Sequence, residues 1–522
     1  MKLQSLTRLL PTWKNAALAV LSATLLILAF PDFEFWFLAW FALIPLFWAI
    51  ERESESTVKS FILGWIFGTY FFFGTCWWLT FAPITYAAFH PVLAYFLLFC
   101  ATLIVGLFPG MFAAILSVFF RRFGYYAIVS APFIWVFFEF LRYWLTGNNW
   151  NSIGYSQSFQ PRTVQHAAFG GMLFVGFLVA LLNSLVSLWF LKIKKYYLLI
   201  IAVLLFCVIT DVPKITFDYD NLFLPKRSDA RIIAIQPNVP MSGLTYEKWV
   251  KLRQKHVQLA ESALQKLTTD NRKPTTVIFP ESPMNFAYDE DPEFQEFISA
   301  FAARNNVHVL FNAAEPDLSN KKYFNSAVMI DPQGKKIAQY DKIYLVPFGE
   351  SVPAPLQSIV PAFVGSFSYG NEYDLLPLGD AKAGVMICFE SHFGSLSREY
   401  VLKGADILIE MTNDGYLGPT PVLRQHLANA VFRAVETGRP VLRVTNVGIT
   451  AYINERGEVI DPTESYTEDT RIWSVSKSDG SQTFYVRYGD WFAWFCSIVT
   501  LGLLLIGFWY GKNNSEYVIT DN

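Results

Sequence analysis

GVMICFES, residues 384–391, is an apolar run that ends on a thiol and then turns acidic. Gly384 to Ile387 is a short, continuous apolar run, the pattern of a strand. Cys388 therefore stands where a strand ends and a helical turn begins. A helix N-terminus and a nearby lysine both lower a thiol pKa. Cys388 is accordingly read either as a reactive nucleophile or as a packed small hydrophobe.

Two other segments bring a reactive group to the end of an apolar run. VIFPES (277–282) carries Glu281 just past a strand, and YDKIYLVPFGE (340–350) carries Lys342 inside a largely aromatic stretch. Taken singly, Glu281 is a solvated loop acid and Lys342 a snorkelling surface cation. Taken together with Cys388, they supply a base, a cation and a nucleophile. Glu281 can take the thiol proton. Lys342 can stabilise the thiolate and a tetrahedral oxyanion, with the backbone N–H after Cys388 as second donor. Cys388 would then carry an acyl group as a thioester.

Outward from these segments, residues 211–490 alternate short β-rich and amphipathic runs. Strands are expected at Arg231–Ile235, Thr276–Phe279, Val307–Phe311, Ser326–Ile330, Lys336–Gln339, Gly384–Cys388, Asp406–Glu410, Val441–Thr445, Thr450–Ile453 and Arg471–Val475. Helices are expected at Tyr246–Leu267, Pro292–Arg304, Gly394–Leu402 and Pro421–Thr437. Gly-containing turns at 332–334 and 455–457 read as hairpin connections, and the mix predicts an α/β sandwich. There is no Gly-rich phosphate loop and no dinucleotide fingerprint. The six His are scattered with none paired at ligand spacing, so neither a metal nor a cofactor is expected.

The remaining sequence has another character. Of the 522 residues 53% are apolar and only 16% charged, against about 25% charged in an ordinary soluble domain. The net charge of −2 excludes the basic excess of a nucleic-acid binder. Eight apolar runs are long enough to cross a bilayer as helices: 15–31, 34–50, 60–82, 89–119, 125–145, 167–190, 196–212 and 491–511. The fourth is overlong and contains Pro109-Gly110, which predicts a kink or strong tilt. The first reads as an uncleaved anchor, because no small-residue cleavage site follows at Phe30-Pro31-Asp32. The expected organisation is a seven-span bundle over 1–212, a soluble domain over 213–490, and an eighth span with its tail over 491–522. Alternate loops carry 11 of the 13 Lys and Arg outside residues 211–490. The positive-inside rule then puts both termini in the cytoplasm and the soluble domain outside. Cys76, Cys100, Cys207 and Cys496 fall within spans, which leaves Cys388 as the one thiol of an external domain.

The order Glu281, Lys342, Cys388 at strand ends resembles the nitrilase (carbon–nitrogen hydrolase) superfamily. The whole arrangement is similar to the apolipoprotein N-acyltransferase family, bacterial inner-membrane enzymes that complete lipoprotein acylation. The supporting stretches are FPES (279–282), YDKIYLVPFGESVP (340–353), MICFES (386–391), TNDGYLG (412–418) and QHLANAVFRAVETGRPVLRVTNVGIT (425–450). EFLRYWLTG (139–147) and GYSQ (154–157) add to them in the membrane part.

This resemblance implies an αββα nitrilase-like domain on an eight-helix bundle, with the domain on the periplasmic side. It makes Glu281 the general base, Lys342 the oxyanion cation and Cys388 the nucleophile. Glu350 stands where the family has a second acid, and Phe389 and Glu390 follow the nucleophile. The family usually has Tyr at the position of Phe389. Tyr246 or Trp249 would fill the place of a functional aromatic, and Asn238 and Asn413 would be polar supports. The reaction implied is ping-pong. A phospholipid acylates Cys388, and the chain then passes to the α-amine of the lipidated N-terminal cysteine of an apolipoprotein.

Two features bear on a lipid substrate. Residues 354–376 form an apolar loop with Ile359, Val360, Phe363, Val364, Phe367 and Tyr369, read either as a lid that dips into lipid or as an ordinary packed loop. Glu139 and Arg142 form an i, i+3 pair within the fifth span, read as structural or as a headgroup contact. Two rival readings remain at this stage. One is a membrane-tethered amidase acting on a small amide, and the other is a transporter or receptor. The scarcity of ionisable groups in the spans counts against the second.

Overall fold

The computed structural model describes residues 9–31, 33–190, 230–267, 273–281, 287–347, 349–352 and 367–517. The chain divides into two compact units, one before residue 218 and after residue 487, the other from 218 to 487.

The first unit is helical: α1 (Trp13–Ala29), α2 (Ile44–Arg52), α3 (Thr57–Thr75), α4 (Pro91–Val105), α5 (Leu107–Phe123), α6 (Ala131–Thr146), α7 (Ala167–Phe190) and a C-terminal helix Trp491–Tyr517. Among the described residues, two helical stretches, Pro91–Thr146 and Ala167–Phe190, are long and apolar enough to cross a membrane. The pair Thr57–Thr75 and Trp77–Thr85, bent by 61°, makes a third, and Trp13–Ala29 and Trp491–Gly507 are shorter apolar helices. The expected span 196–212, with Cys207, lies outside the described residues.

The expected span 34–50 is not one helix. It breaks into a 3-10 turn at Trp36–Leu38, a single turn at Ala39–Ala42 and α2, which has a proline in its first turn. The break is held by Asn183 of α7. Its amide donates to Ala39 O at 2.9 Å and its carbonyl accepts from Leu43 N at 2.9 Å. A buried side chain thus satisfies backbone groups that the interrupted helix leaves unpaired. The overlong fourth run likewise divides at Gly106 into α4 and α5. Gly64 of α3 lies against Pro109 of α5, where a Cβ would overlap the Pro109 carbonyl, so these helices meet backbone to backbone.

The second unit runs β1 (Ala230–Gln236), α8 (Tyr246–Gln265), β2 (Thr275–Ile278), α9 (Pro292–Asn305), β3 (His308–Asp317), β4 (Lys322–Ile330), β5 (Lys336–Asp341), β6 (Phe367–Ser368), β7 (Leu375–Leu378), β8 (Ala381–Ile387), α10 (Gly394–Leu402), β9 (Ile407–Thr412), α11 (Val422–Thr437), β10 (Val441–Thr445), β11 (Ala451–Ile453), β12 (Val459–Ile460) and β13 (Asp469–Val475). It builds two mixed sheets. Sheet one has the order β13-β1-β2-β3-β4-β5, with β6 on β4, and sheet two the order β12-β11-β10-β9-β8-β7. Each has three parallel strands at its centre, β1-β2-β3 and β8-β9-β10, flanked by antiparallel ones. These central strands are the near-continuous apolar runs of the sequence, as burial on both faces requires.

On sheet one, Val257 and Ala260 of α8 and Ile298 and Phe301 of α9 close a core with Ile233, Val277, Val309 and Phe311. On sheet two, α10 lies so close to β8 that a Cβ on Gly384 would overlap the Tyr400 ring. The sheets meet where Thr445 and Thr463 donate to the Gln236 amide oxygen at 3.2 and 2.7 Å. The layering is α, β, β, α. Of the apolar loop expected over 354–376, residues 354–366 lie outside the described set, Phe367–Ser368 pair with β4, and Leu375 begins β7. Leu376 and Leu378 face inward from that strand, which makes its end part of the sheet rather than of a loop.

Candidate active site

Parallel strands release their chains at one edge, and the site is assembled there. Cys388 follows β8 directly with φ of 52°. A non-glycine residue held in that region costs about 1–3 kcal/mol, so the elbow must be fixed by its surroundings. Glu390 does much of this. One of its oxygens accepts from Ile387 N at 2.8 Å. The other accepts from the Tyr340 hydroxyl at 2.7 Å, Ile343 N at 2.7 Å and Tyr344 N at 3.0 Å. A single buried carboxyl thus ties the Cys388 turn to the segment that carries Lys342. Burial pushes that carboxyl up to about 7 against the opposing pull of Lys342 and these donors.

Lys342 follows β5 and is fully buried. Its Nζ donates to Glu350 Oε1 at 2.9 Å and lies 3.8 Å from Glu281. Burial works against its charge, but Glu350, then Glu281 and Cys388, overcome that and hold the ammonium well above its ordinary value. Burial also works against charge on Glu350. Lys342 outweighs it, aided by a 2.8 Å bond from Val346 N, and the carboxyl is lowered.

Glu281 has the opposite balance. Burial raises it and Glu350 adds to the rise, while Lys342, Asn325 and a hydrogen bond with the Cys388 thiol oppose it; the net shift is upward. Its oxygens accept from Asn325 Nδ2 at 3.1 Å and from Asn413 N at 3.1 Å. Lys342 thus has a tight partner in Glu350 and a loose one in Glu281. Two carboxyls face one ammonium, and the loosely paired carboxyl stands beside the thiol.

The thiol is not acidified, contrary to expectation. Burial, and then the charge on Glu281, push Cys388 well above its ordinary value, and Lys342 only partly offsets them. The cation is already engaged by two carboxylates, so its field at sulfur is largely spent. The arrangement therefore favours the neutral thiol at Cys388, and the carboxyl beside it is that of Glu281.

The structure thus brings Glu281, Lys342, Glu350, Cys388 and Glu390 together, with Asn413 joined through its backbone. Phe389 stacks on His392 with ring centroids 5.7 Å apart and meets Phe393 edge-on at 5.2 Å. Three expected residues lie elsewhere. Tyr246 is exposed at the start of α8, its hydroxyl on Glu293 of α9 at 3.0 Å. Trp249, one turn further on, packs on the core of sheet one. Both are helix residues of an amphipathic face, which spacing from β1 does not reveal. Asn238 has φ of 51° and joins two loops through Tyr466 O at 3.0 Å and Asn446 O at 3.1 Å.

Asn325 of β4 was not anticipated. Its amide bridges Glu281 and Glu350 at 3.1 and 2.6 Å, and its oxygen accepts from Asn312 at 2.7 Å. The available signal was a polar residue at the inward end of an otherwise apolar strand run.

In the first unit, Arg142 donates to Trp150 O at 3.0 Å and Ser152 Oγ at 2.9 Å, and Glu139 accepts from Ile153 N at 2.8 Å. This pair braces the loop over 150–153.

Comparison with known proteins covers both units. The family model for the carbon–nitrogen hydrolases matches residues 226–484, and that for the apolipoprotein N-acyltransferase N-terminal domain matches residues 22–185. The chain is 31% identical over 501 residues to the apolipoprotein N-acyltransferase of Geobacter metallireducens, covering 92% of this chain and 93% of that one. It is 27% identical over 507 residues to the Pasteurella multocida protein of the same description, covering 94% of each. With the Thermotoga maritima protein so described it shares 29% identity over 517 residues, 95% of this chain and 94% of the other.

Proposed function

The chain belongs to the apolipoprotein N-acyltransferase family, its second unit has the nitrilase-like α/β fold, and from that premise we propose how its own residues carry out lipoprotein N-acylation. The observation that carries the reading is the placing of the Glu281 carboxyl beside the Cys388 thiol, with the Lys342 ammonium 3.8 Å from Glu281 and 2.9 Å from Glu350.

In the first half-reaction Glu281 takes the thiol proton as sulfur attacks the ester carbonyl of a phospholipid. The tetrahedral oxyanion is met by the Lys342 ammonium and the Phe389 backbone N–H. Collapse breaks the ester C–O bond. The proton on Glu281 goes to the leaving oxygen, a lysophospholipid departs, and a thioester remains on Cys388. In the second half the α-amine of a diacylglyceryl-modified N-terminal cysteine attacks the thioester. Its proton passes through Glu281 to the departing sulfur, which leaves an amide and the original thiol. Glu350 keeps Lys342 charged and in place. Asn325 holds both carboxyls apart, and Glu390 holds the elbow.

The likeness over both units, helical part included, favours transfer to a lipoprotein over hydrolysis of a small amide. We further infer a bacterial inner-membrane protein with eight spans, both termini cytoplasmic and the catalytic domain periplasmic. The apolar runs and the alternation of basic loops support this. A reporter inserted at residue 300 should be active only outside the cytoplasm, and cytoplasmic activity would reverse the orientation.

The chemistry is tested by intact-protein mass spectrometry after incubation with phospholipid. A gain of one acyl chain, removed by neutral hydroxylamine and absent in Cys388→Ala, is expected. Folded wild-type protein that gains no acyl chain would refute the reading.

A further inference from the structure

Behind the nucleophile lies a second buried ionic cluster that the reaction above does not use. His426 of α11 has Nδ1 2.6 Å from Asp414 Oδ1 and Nε2 3.0 Å from Glu410 of β9. Arg443 of β10 completes it at 2.5 Å from Glu410 and 2.8 Å from Asp414. All four side chains are buried. The same Nε2 is 3.1 Å from the main-chain oxygen of Cys388 and 3.1 Å from Ser391 Oγ, and that hydroxyl donates to the Cys388 oxygen at 3.2 Å.

The Cys388 carbonyl and the Phe389 N–H belong to one peptide group. In a trans peptide they point in opposite directions along one dipole. A donor that grips the carbonyl from behind therefore aims the N–H forward and strengthens it as a donor. We propose that His426, as an imidazolium, is a positioning residue of the oxyanion hole, acting through the Cys388–Phe389 peptide. This rests on the reading of Cys388 as the acylated nucleophile.

Three observations support it. Cys388 has a positive φ, so its peptide needs an external restraint. The groups facing the imidazole are Asp414 and Glu410, which favour its charge, and Arg443, which opposes it, with Cys388 and Ser391 on the elbow side. The net effect, against burial, is to push His426 up to about 9, so it is charged at neutral pH. When it deprotonates, the 2.6 Å contact with Asp414 keeps the remaining hydrogen on Nδ1. Nε2 then turns a lone pair toward the carbonyl it had been gripping.

The test uses the full-length protein in detergent micelles containing phosphatidylethanolamine. Single-turnover acylation is read by intact mass across about pH 6–10, beside alkylation of the same thiol by iodoacetamide, which needs no oxyanion hole. Wild-type acylation should fall as pH rises through about 9. His426→Gln keeps a donor but no charge. It should acylate about 10–100-fold more slowly, with no such limb and with alkylation changed less than about 3-fold. Asp414→Asn should fold with the same shape and move the limb to lower pH. The inference is overturned if His426→Gln acylates at the wild-type rate, if acylation and alkylation fall together, or if the limb stays put in Asp414→Asn. A wild-type chain that takes no acyl group overturns the parent reading, and this inference with it. Wild-type acylation that Gln leaves untouched overturns this inference alone.

Discussion

Two buried charge clusters flank the Cys388 elbow, and they differ by one cation. In the cluster of sheet one, Glu281 and Glu350 share the single ammonium of Lys342. In the cluster of sheet two, Glu410 and Asp414 face both Arg443 and His426. The balanced cluster holds both its carboxyls below their ordinary values despite burial. The unbalanced one lowers Glu350 but leaves Glu281 raised. A buried ion network that closes on itself serves as scaffold, whereas one short of a counter-charge leaves a group able to accept a proton. In the proposed mechanism this difference separates a base from a support, although both clusters are built from buried carboxyls and cations.

The strongest way to break the contrast is to remove each cation in turn. Lys342→Met should slow acylation of Cys388 by about 10³-fold or more, because the oxyanion loses its charged partner and the two carboxyls are left to share a proton. The adduct time course by mass spectrometry reads this. Arg443→Met should act on stability instead, by about 3–5 kcal/mol, because two buried carboxylates lose their fixed counter-ion. A thermal melt would show it, and unchanged melting would mean that His426 alone balances the pair.

Within the balanced cluster the histidine and the carboxyls should respond to pH in opposite senses. His426 is held at about 9 against 6.5, so the stability it contributes is full below about 6.5 and lost as pH rises through 9. Glu410 and Asp414 are lowered, so their contribution is present above the ordinary carboxylate range and lost on acidification. Thermal midpoints should therefore fall on the alkaline side in the wild type and much less in His426→Gln.

A finer test adjusts the imbalance without removing the cation. Glu350→Gln takes a like charge away from Glu281 and frees Lys342 to pair with it, so the Glu281 pKa should drop. The acid limb of acylation should then move to lower pH, and the plateau rate should fall about 10-fold as the base weakens. An unmoved limb in the pH–rate profile would show that Glu350 does not set the base. The smallest effect is expected at Phe389, whose ring stacks on His392 and Phe393. Phe389→Tyr should change the acylation rate by no more than about twofold, because a tyrosine ring keeps the same stacking contacts.

Much of this was legible in the sequence, for a physical reason. The central parallel strands are unbroken apolar runs, and Glu281, Lys342 and Cys388 each interrupt the pattern at its end. The edge strands β6, β7 and β12 were not legible. Two of them are only two residues long, and β7 carries Pro377, which tertiary pairing alone makes a strand. The second cluster is legible in principle. Glu410 lies in ILIEMT and Arg443 in VLRVT, single charges inside fully buried strands, which is tolerable only if they are paired. In the parallel register of β9 and β10, Arg443 falls beside Glu410. Which face of α8 Tyr246 and Trp249 take is not legible from their spacing after β1; one is exposed and the other packs on the core of sheet one.

The most direct test of the account is the pH dependence of Cys388 acylation by phospholipid, in wild type and in Glu281→Gln. If the surplus carboxyl is the base, the wild-type rate should rise through a single acid limb above the ordinary glutamate value of about 4.3. Glu281→Gln should be slow and lack that limb. The same limb persisting in Glu281→Gln would assign the proton transfer to another group and contradict the account.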